Sequence, residues 1–375
     1  MASSIFHPFL SPSLSALLSH LPSSIPLDTL SRTPLSRLQR TALPNIGLIE
    51  LVSATDFSTL YDSLYIHSFS RLAERERSDL IVDRLAAQAK GDRKFLAPYR
   101  IVGIRDHQGE AIAAAQFSVL PVPPRKGKNS TTSSADCGGN DGSGEGSKYA
   151  VPYLQYIYVR RQNRRQDMSE VLHTMVLAVA AADAALMDME DGISSSAVDP
   201  LLRAVPFTLF ETEPPDHGDD HASRAYALER SKIHTSTGGM ALVLRRRRPR
   251  PSSRDTTRPE EEEEAATAEG QDDDEILSAH VQPGLEPSDP PLTLVWIIRP
   301  APTATPGLDY DLTSLGKALV AAYYQSLRDE GFPEKNIRLA ERIVQERCRG
   351  STFQLMPLGD VRDLSADKGN LDIRE

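Results

Sequence analysis

The sequence predicts an α/β (α+β) fold, one mixed sheet of about seven strands flanked by helices on both faces. Three observations carry that expectation. Between residues 46 and 300, short β-branched or aromatic runs alternate with helix-period patterns. Two tracts without apolar periodicity, 121–148 and 245–291, break into the alternation as disordered insertions. After the last strand, residues 301–375 carry two further helix patterns, a C-terminal helical extension.

At roughly 100–200 residues per domain, a chain of 375 residues has room for two or three domains. Hydrophobic residues make up 39% of it, with 27 Pro and 22 Gly. That is less than the roughly 45–50% of a compact domain, as expected for a normal core diluted by unpacked segments. Acidic residues outnumber basic ones 52 to 42, for a net charge of −10. This argues against a nucleic-acid binder driven by overall charge and leaves only local basic patches. Two cysteines, Cys137 and Cys348, are too few for a disulfide framework or a four-cysteine zinc site. No uninterrupted apolar run reaches the ~20 residues that cross a bilayer, so no membrane span is expected.

Residues 1–45 are rich in Ser, Pro and Leu, with one acid (Asp28) and arginines at Arg32, Arg37 and Arg40. The composition suits a disordered or lightly packed extension first, and an organelle transit peptide as the alternative. Pro8, Pro12 and His20 interrupt the apolar stretch that a secretory signal needs. A cytoplasmic location is expected, or a plastid or mitochondrion if the segment is a transit peptide.

The elements follow in order. Residues 47–52 read as a strand, and Asp56 as the N-cap of a helix whose stripe is Leu60, Leu64, Ile66 and Phe69. A second helix covers 77–90. Residues 99–105 and 111–120 form a hairpin about the turn 106–110. The first tract follows, where insertion is thermodynamically cheap. Residues 153–159 are a buried strand that runs through a basic turn into a long helix over 167–186, with Met168, Leu172, Met175, Val176 and Val179 on one face. A strand at 205–211, a helix at 222–232 and a strand at 239–244 come next. The second tract carries Arg245 to Arg248, Glu260 to Glu264 and Asp272 to Asp274, like-charge blocks that repel and leave an exposed tether. The nearby acids neutralise the arginine run, which weakens its reading as a nucleic-acid patch. The strand at 292–298 should pair with 239–244 as a hairpin whose tip is the tract. Helices at 312–328 and 334–347 close the chain; covering the sheet, forming a homodimer face or shaping an acceptor pocket are all open to them.

This order of elements, with a strand–basic turn–helix unit at its centre, resembles the GCN5-related N-acetyltransferase (GNAT, acyl-CoA N-acyltransferase) superfamily. The resemblance covers roughly residues 46–300 less the two tracts and rests on topology more than on motif. The family pattern after its fourth strand is Val-x-Pro-x-x-Arg-Gly-x-Gly-x-Gly. Here Val159 opens the stretch, Arg164 matches the Arg and Ser169 takes the final small position, while Arg165 and Asp167 replace glycines. The resemblance implies acetyl-CoA as co-substrate, bound by Ile157, Val159, Arg164, Arg165, Gln166, Asp167, Met168 and Ser169, and direct acetyl transfer to an amine. It also allows a non-catalytic interaction or regulatory module that kept the fold and lost the cofactor.

The physical case for such a turn is independent of family. A helix N-terminus presents unpaired N–H groups and a partial positive charge, which suits a pyrophosphate. Glycines permit the closest approach, and Arg160, Arg161, Arg164 and Arg165 offer direct charge-assisted contacts instead. Asp167 works against an anion, or it caps the following helix. The resemblance implies a cleft at the C-terminal ends of the fourth and fifth strands, which makes Glu211, at the end of the strand at 205–211, the candidate general base. Tyr226 on the next helix is the counterpart of the family's helical acid, with Glu229 in equally good register. Glu211, Glu213, Asp216, Asp219 and Asp220 beside the cleft suggest a cationic acceptor, a small-molecule amine or a lysine side chain. His217 and His221 among these carboxylates read as a solvated loop more readily than as metal ligands. A Gly-rich phosphate loop with Lys-Ser/Thr, a GxGxxG after a strand and a Gly-x-Ser-x-Gly elbow are all absent from the sequence.

Overall fold

A computed structural model of the chain describes residues 4–71, 75–123, 148–192, 203–218, 220–247, 274–303, 311–361 and 364. Cys137 lies outside them, as do 124–147 and 248–273 of the two tracts.

The first half builds as expected. β1 (Leu48–Leu51) pairs antiparallel with β2 (Tyr99–Arg105), which turns back into β3 (Ala111–Val122). In the turn, Asp106 Oδ1 accepts from the backbone of Gln108 and Glu110, and Gly109 takes φ +84°. β3 pairs with β4 (Tyr149–Val159), and β4 runs parallel to β5 (Phe207–Thr212). Between β1 and β2 stand α3 (Ala54–Asp56), a π-helical turn (Phe57–Tyr61), α4 (Asp62–Ser68) and α5 (Ser78–Lys90). Ser53, not Asp56, is the cap: its hydroxyl accepts from Asp56 N, and the Asp56 carboxylate turns to Arg105.

The second half differs from expectation in two strands. The sheet has nine, ordered β1-β2-β3-β4-β5-β8-β6-β7, with β9 (Ser351–Pro357) on the other edge of β6 (Met240–Arg247). β8 (Val295–Pro300) pairs with β6 through Met240–Ile298 to Leu242–Trp296, in the expected single sheet. β7 (Asp274–Ser278) then continues along the same edge of β6, paired with Val243 to Arg247. Residues 274–278, expected in the tether, are therefore a strand. Arg245 and Arg246 face Asp274 and Glu275 across it at 2.6 and 3.6 Å, so opposite charges pair across the ladder instead of repelling along the chain.

Strand residues alternate between two faces. Val102, Ile104, Ala113, Ala115 and Phe117 pack toward α6 (Met168–Glu190), whereas Tyr99, Ile101 and Ala114 pack toward α3–α5. Farther along the second face, α8 (Leu312–Asp329) buries Leu315, Leu319, Tyr323 and Leu327 with α9 (Glu334–Cys348) against β5, β6 and β8. With β9 added to the sheet, residues beyond 300 complete the core rather than extend it, which moves the expected domain boundary. α7 (His221–Ser236) joins β5 to β6.

Residues 4–45 correct the expectation of a disordered leader. Phe6, Leu14, Leu27, Leu30, Leu38 and Ala42 are buried in one cluster with Met175, Val176 and Val179 of α6. α1 (Pro12–Leu18) starts on a capping Ser11 with Pro at its first turn, and α2 (Leu35–Thr41) ends in the same core. The reason lies in α6. By length and composition it is apolar enough to cross a membrane, yet 89% of that span is buried inside the protein. A helix apolar on all sides needs cover away from the sheet as well, and the N-terminal segment supplies it.

That packing gives a test. Leu38→Ala should lower unfolding free energy by about 2–5 kcal/mol in urea titration; a change below about 0.5 kcal/mol would mean that the segment hangs free.

Candidate active site

The parallel pairing of β4 with β5 is confined to Tyr153–Leu209 and Leu154–Phe210. At the same level the β3–β4 register slips: Gln116 faces Tyr156 and Phe117 faces Leu154, which leaves Gln155 bulged. A bulge bends its strand. β4 parts from β5 at that point, so beyond it the facing backbones of the two strands are not paired with each other. The Gln155 amide donates to both carboxylate oxygens of Glu330, at 3.1 and 3.0 Å, just past the end of α8. Ser118 adds a third bond at 2.6 Å, and the Glu330 side chain is 1% exposed. The C-terminal helices thus hold the bulge from behind.

β4 ends in a short 3-10 turn at Arg161–Asn163 and a loop into α6. Arg165 and Asp167, standing where the family pattern has glycine, take φ +66° and +55°. The backbone keeps the glycine conformation without the glycines, at a cost of about 1–2 kcal/mol for a residue such as Arg; Asp tolerates it better. Among the described residues, the backbone N–H groups of Arg165, Gln166, Asp167, Met168 and Ser169 have no acceptor. They lie in the loop and first turn of α6, where the helix field is positive.

Asp167 sits at the N-cap position, but its side chain accepts nothing from α6, contrary to the capping expectation. Arg37 Nε and Nη2 each donate to it at 2.8 Å, and Thr41 Oγ1 donates at 2.7 Å. Those bonds hold the carboxyl below its usual range, against the opposing effect of burial.

Of the arginines, Arg160 is engaged by Asp106 at 3.5 Å and by the Ala111 carbonyl at 2.6 Å. Arg164 makes a long bond of 3.4 Å to the Val159 carbonyl, and Arg161 and Arg165 are exposed with no acidic partner among the described residues. Arg160, Arg161 and Arg164 line a pocket of ≈ 480 Å³ together with His67, Leu64 and Val159. Gln166 accepts from Asn163 at 3.1 Å, Ser169 is exposed and Ile157 is half-buried against the α6 core. Met168 is buried, so only its backbone N–H faces the turn. Free donors and exposed guanidinium groups beside parting strands suit an extended ligand that carries phosphate.

Glu211 lies one residue past the last β4–β5 pair, on the face covered by α8, with its side chain 11% exposed. His280 Nε2 approaches it at 2.9 Å, and His280 stacks on Trp296 at 4.4 Å between ring centroids. The approach lacks the alignment of a strict hydrogen bond, so its effect is electrostatic. Burial pushes the Glu211 carboxyl up, but His280 and the phenols of Tyr153 and Tyr323 outweigh burial and hold it below its usual range. Burial lowers the His280 pKa against the opposing pull of the carboxylate. His280 lies within 245–291, where the sequence predicts an exposed tether and no periodicity singles it out.

Tyr226 stands 64% exposed on α7 with the Arg230 guanidinium 4.7 Å above its ring. Glu229 pairs with Lys232 at the surface. Glu213 is taken by Arg230 and Asp220 caps α7 through Ser223 N, which thins the acidic rim; Asp219 lies outside the described residues. His217 comes no closer than 3.9 Å to Glu213, and no group of metal-ligating side chains forms among the described residues.

No protein-family model matches the chain, and no curated protein matches it. Two solved structures are similar. One is described as a GCN5-related glucosamine N-acetyltransferase region in a fungal multi-domain GH3 β-N-acetylglucosaminidase: 13% identity and TM-score 0.29, covering 53% of this chain and 18% of that one. The other is described as histone acetyltransferase HPA2 and related acetyltransferase from Corynebacterium glutamicum: 12% identity and TM-score 0.26, covering 69% and 98%. The chain thus spans under a fifth of the first. In this chain the elements run β1–α–α–β2–β3–β4–α–β5–α–β6, with β4 and β5 parallel and parting at a bulge.

The strained turn supplies the next test. Arg165→Gly should raise unfolding free energy by about 1 kcal/mol, as the left-handed residue loses its Cβ. A loss of stability in chemical denaturation would show that the turn is not held in that conformation.

Proposed function

We propose that the chain is an acyl-CoA-dependent N-acetyltransferase that passes an acetyl group directly from acetyl-CoA to an amine. The observation that supports this best is a coincidence of place: β4 and β5 part at the bulged Gln155, and β4 leads straight into a turn with glycine geometry and free N–H groups. Bound there, the coenzyme would supply the activated acyl group.

The chain's own residues do the rest. The loop's N–H groups and Arg161, Arg164 and Arg165 hold the phosphates. The unpaired backbone beyond Gln155 offers donors to the reacting carbonyl. A lysine-type amine is only about one part in a thousand neutral at pH 7, so attack needs a proton acceptor. Glu211, one residue past the last β4–β5 pair, is the candidate for it. Tyr153 and Tyr323 are buried and pushed far up, which makes them poor proton donors, so the role of acid to the leaving thiol stays with the accessible Tyr226. Net charge −10 and Glu211 favour a cationic acceptor, a small-molecule amine or a lysine side chain.

A second reading, a non-catalytic module of the same fold, is favoured by Arg165 and Asp167 in glycine positions. Titration calorimetry separates the two. Acetyl-CoA should bind with micromolar affinity, about −8 kcal/mol, and Arg164→Glu should weaken it by about 1 kcal/mol or more. With an amine found by panel screening, Glu211→Gln should lower kcat by about 10²–10⁴-fold. Absence of binding by every acyl-CoA would establish the non-catalytic reading, and an unaltered kcat would remove Glu211 as base.

A further inference from the structure

We propose that Arg37, from the N-terminal segment, belongs to the coenzyme-binding machinery: by holding the Asp167 carboxylate it makes an anion-accepting turn out of one that has an acid in place of a glycine. The inference rests on the acyl-CoA reading of that turn and adds a residue 130 positions away to it.

The left-handed backbone at Asp167 comes first. Without glycine, Asp or Asn is the side chain that tolerates such a φ best. Asp brings a negative charge to the place where the loop and first turn of α6 leave their N–H groups free. An uncompensated carboxylate within about 5 Å of a phosphate lowers affinity by about tenfold or more at the dielectric of a protein surface. Arg37 meets both carboxylate oxygens in a bidentate fork, and Thr41 adds a third donor, so the carboxylate's bonds are directed at α2. With that pair neutral, the exposed charges left on the turn are Arg161, Arg164 and Arg165.

Arg37 is not what keeps α2 in place. Its side chain is 58% exposed, and surface ion pairs add little to stability. The segment is anchored by other means: Leu30 and Leu38 are buried, the Arg32 and Thr33 amides donate to Glu170 at 2.7 and 3.3 Å, and Arg32 reaches the Thr237 and Pro300 carbonyls. A fork held at the surface by an already anchored helix is expected to act on what the turn binds.

The test is a double-mutant cycle on the full chain, read by calorimetry with inorganic pyrophosphate and with acetyl-CoA. Arg37→Ala should weaken both by about tenfold. Asp167→Asn should tighten them, and the double variant should bind within threefold of Asp167→Asn, because Arg37 then has no charge to offset. The inference is overturned if Arg37→Ala binds as tightly as the wild type, or if it costs the same tenfold in the Asp167→Asn background, which would make Arg37 a direct phosphate ligand. A fall of more than about 5 °C in the ligand-free Tm of Arg37→Ala would mark it as a structural staple and overturn it too. Wild type binding neither probe would remove the acyl-CoA reading itself, whereas binding with an additive cycle removes only the role of Arg37.

Discussion

Helix α6 has no polar side to turn toward water, and much else in the molecule is a response to that constraint. The sheet covers one side through Val102, Ala113, Phe117 and Leu154, and Phe6, Leu14, Leu30 and Leu38 cover the other. Buried polar side chains of α6 find partners along its length: Glu170 in Arg299, His173 in Thr208, Asp183 in Arg100 through a bidentate fork, and Asp188 in the Arg203 backbone. Such buried pairs add little net stability, but removing one partner costs about 3–5 kcal/mol. A register shift of the helix would break several at once, so they fix its position along its own axis. The position of its first turn follows.

The site inherits that position from both ends of the chain. From the N-terminal side, Arg37 and Thr41 take up the Asp167 carboxylate. From the C-terminal side, Glu330 grips the bulged Gln155 that parts β4 from β5. Neither segment belongs to the stretch 46–300 that carries the strand–helix alternation. A chain cut to that stretch would lose the cover of α6, the ninth strand and a partner on each side of the cleft.

What was legible in the sequence was what rests on local periodicity. Strands with β-branched runs such as Tyr99–Arg105, and helices with regular apolar spacing such as α5, α8 and α9, stand within a residue or two of expectation. The N-terminal helices were not legible, because their buried residues are scattered among prolines and serines at no fixed period and are ordered by α6, well over a hundred positions away. β7 was hidden by the acidic residues around it, whose charge is absorbed by arginines of the neighbouring strand. In the site, the backbone conformation at Arg165 and Asp167 could be suspected from the family pattern. The partners of Asp167 and Glu211 could not: Arg37–Asp167 and Glu211–His280 are contacts between distant segments that no spacing rule connects.

The central claim is that the turn from β4 into α6 receives the phosphates of an acyl-CoA. Amide hydrogen exchange of the full chain, with and without saturating acetyl-CoA, addresses it directly, because the N–H groups from Arg165 to Ser169 have no acceptor of their own among the described residues. The coenzyme should slow exchange in the peptide carrying these amides more than anywhere else in the protein. Unchanged exchange there under saturating ligand, or protection confined to another segment, would contradict it.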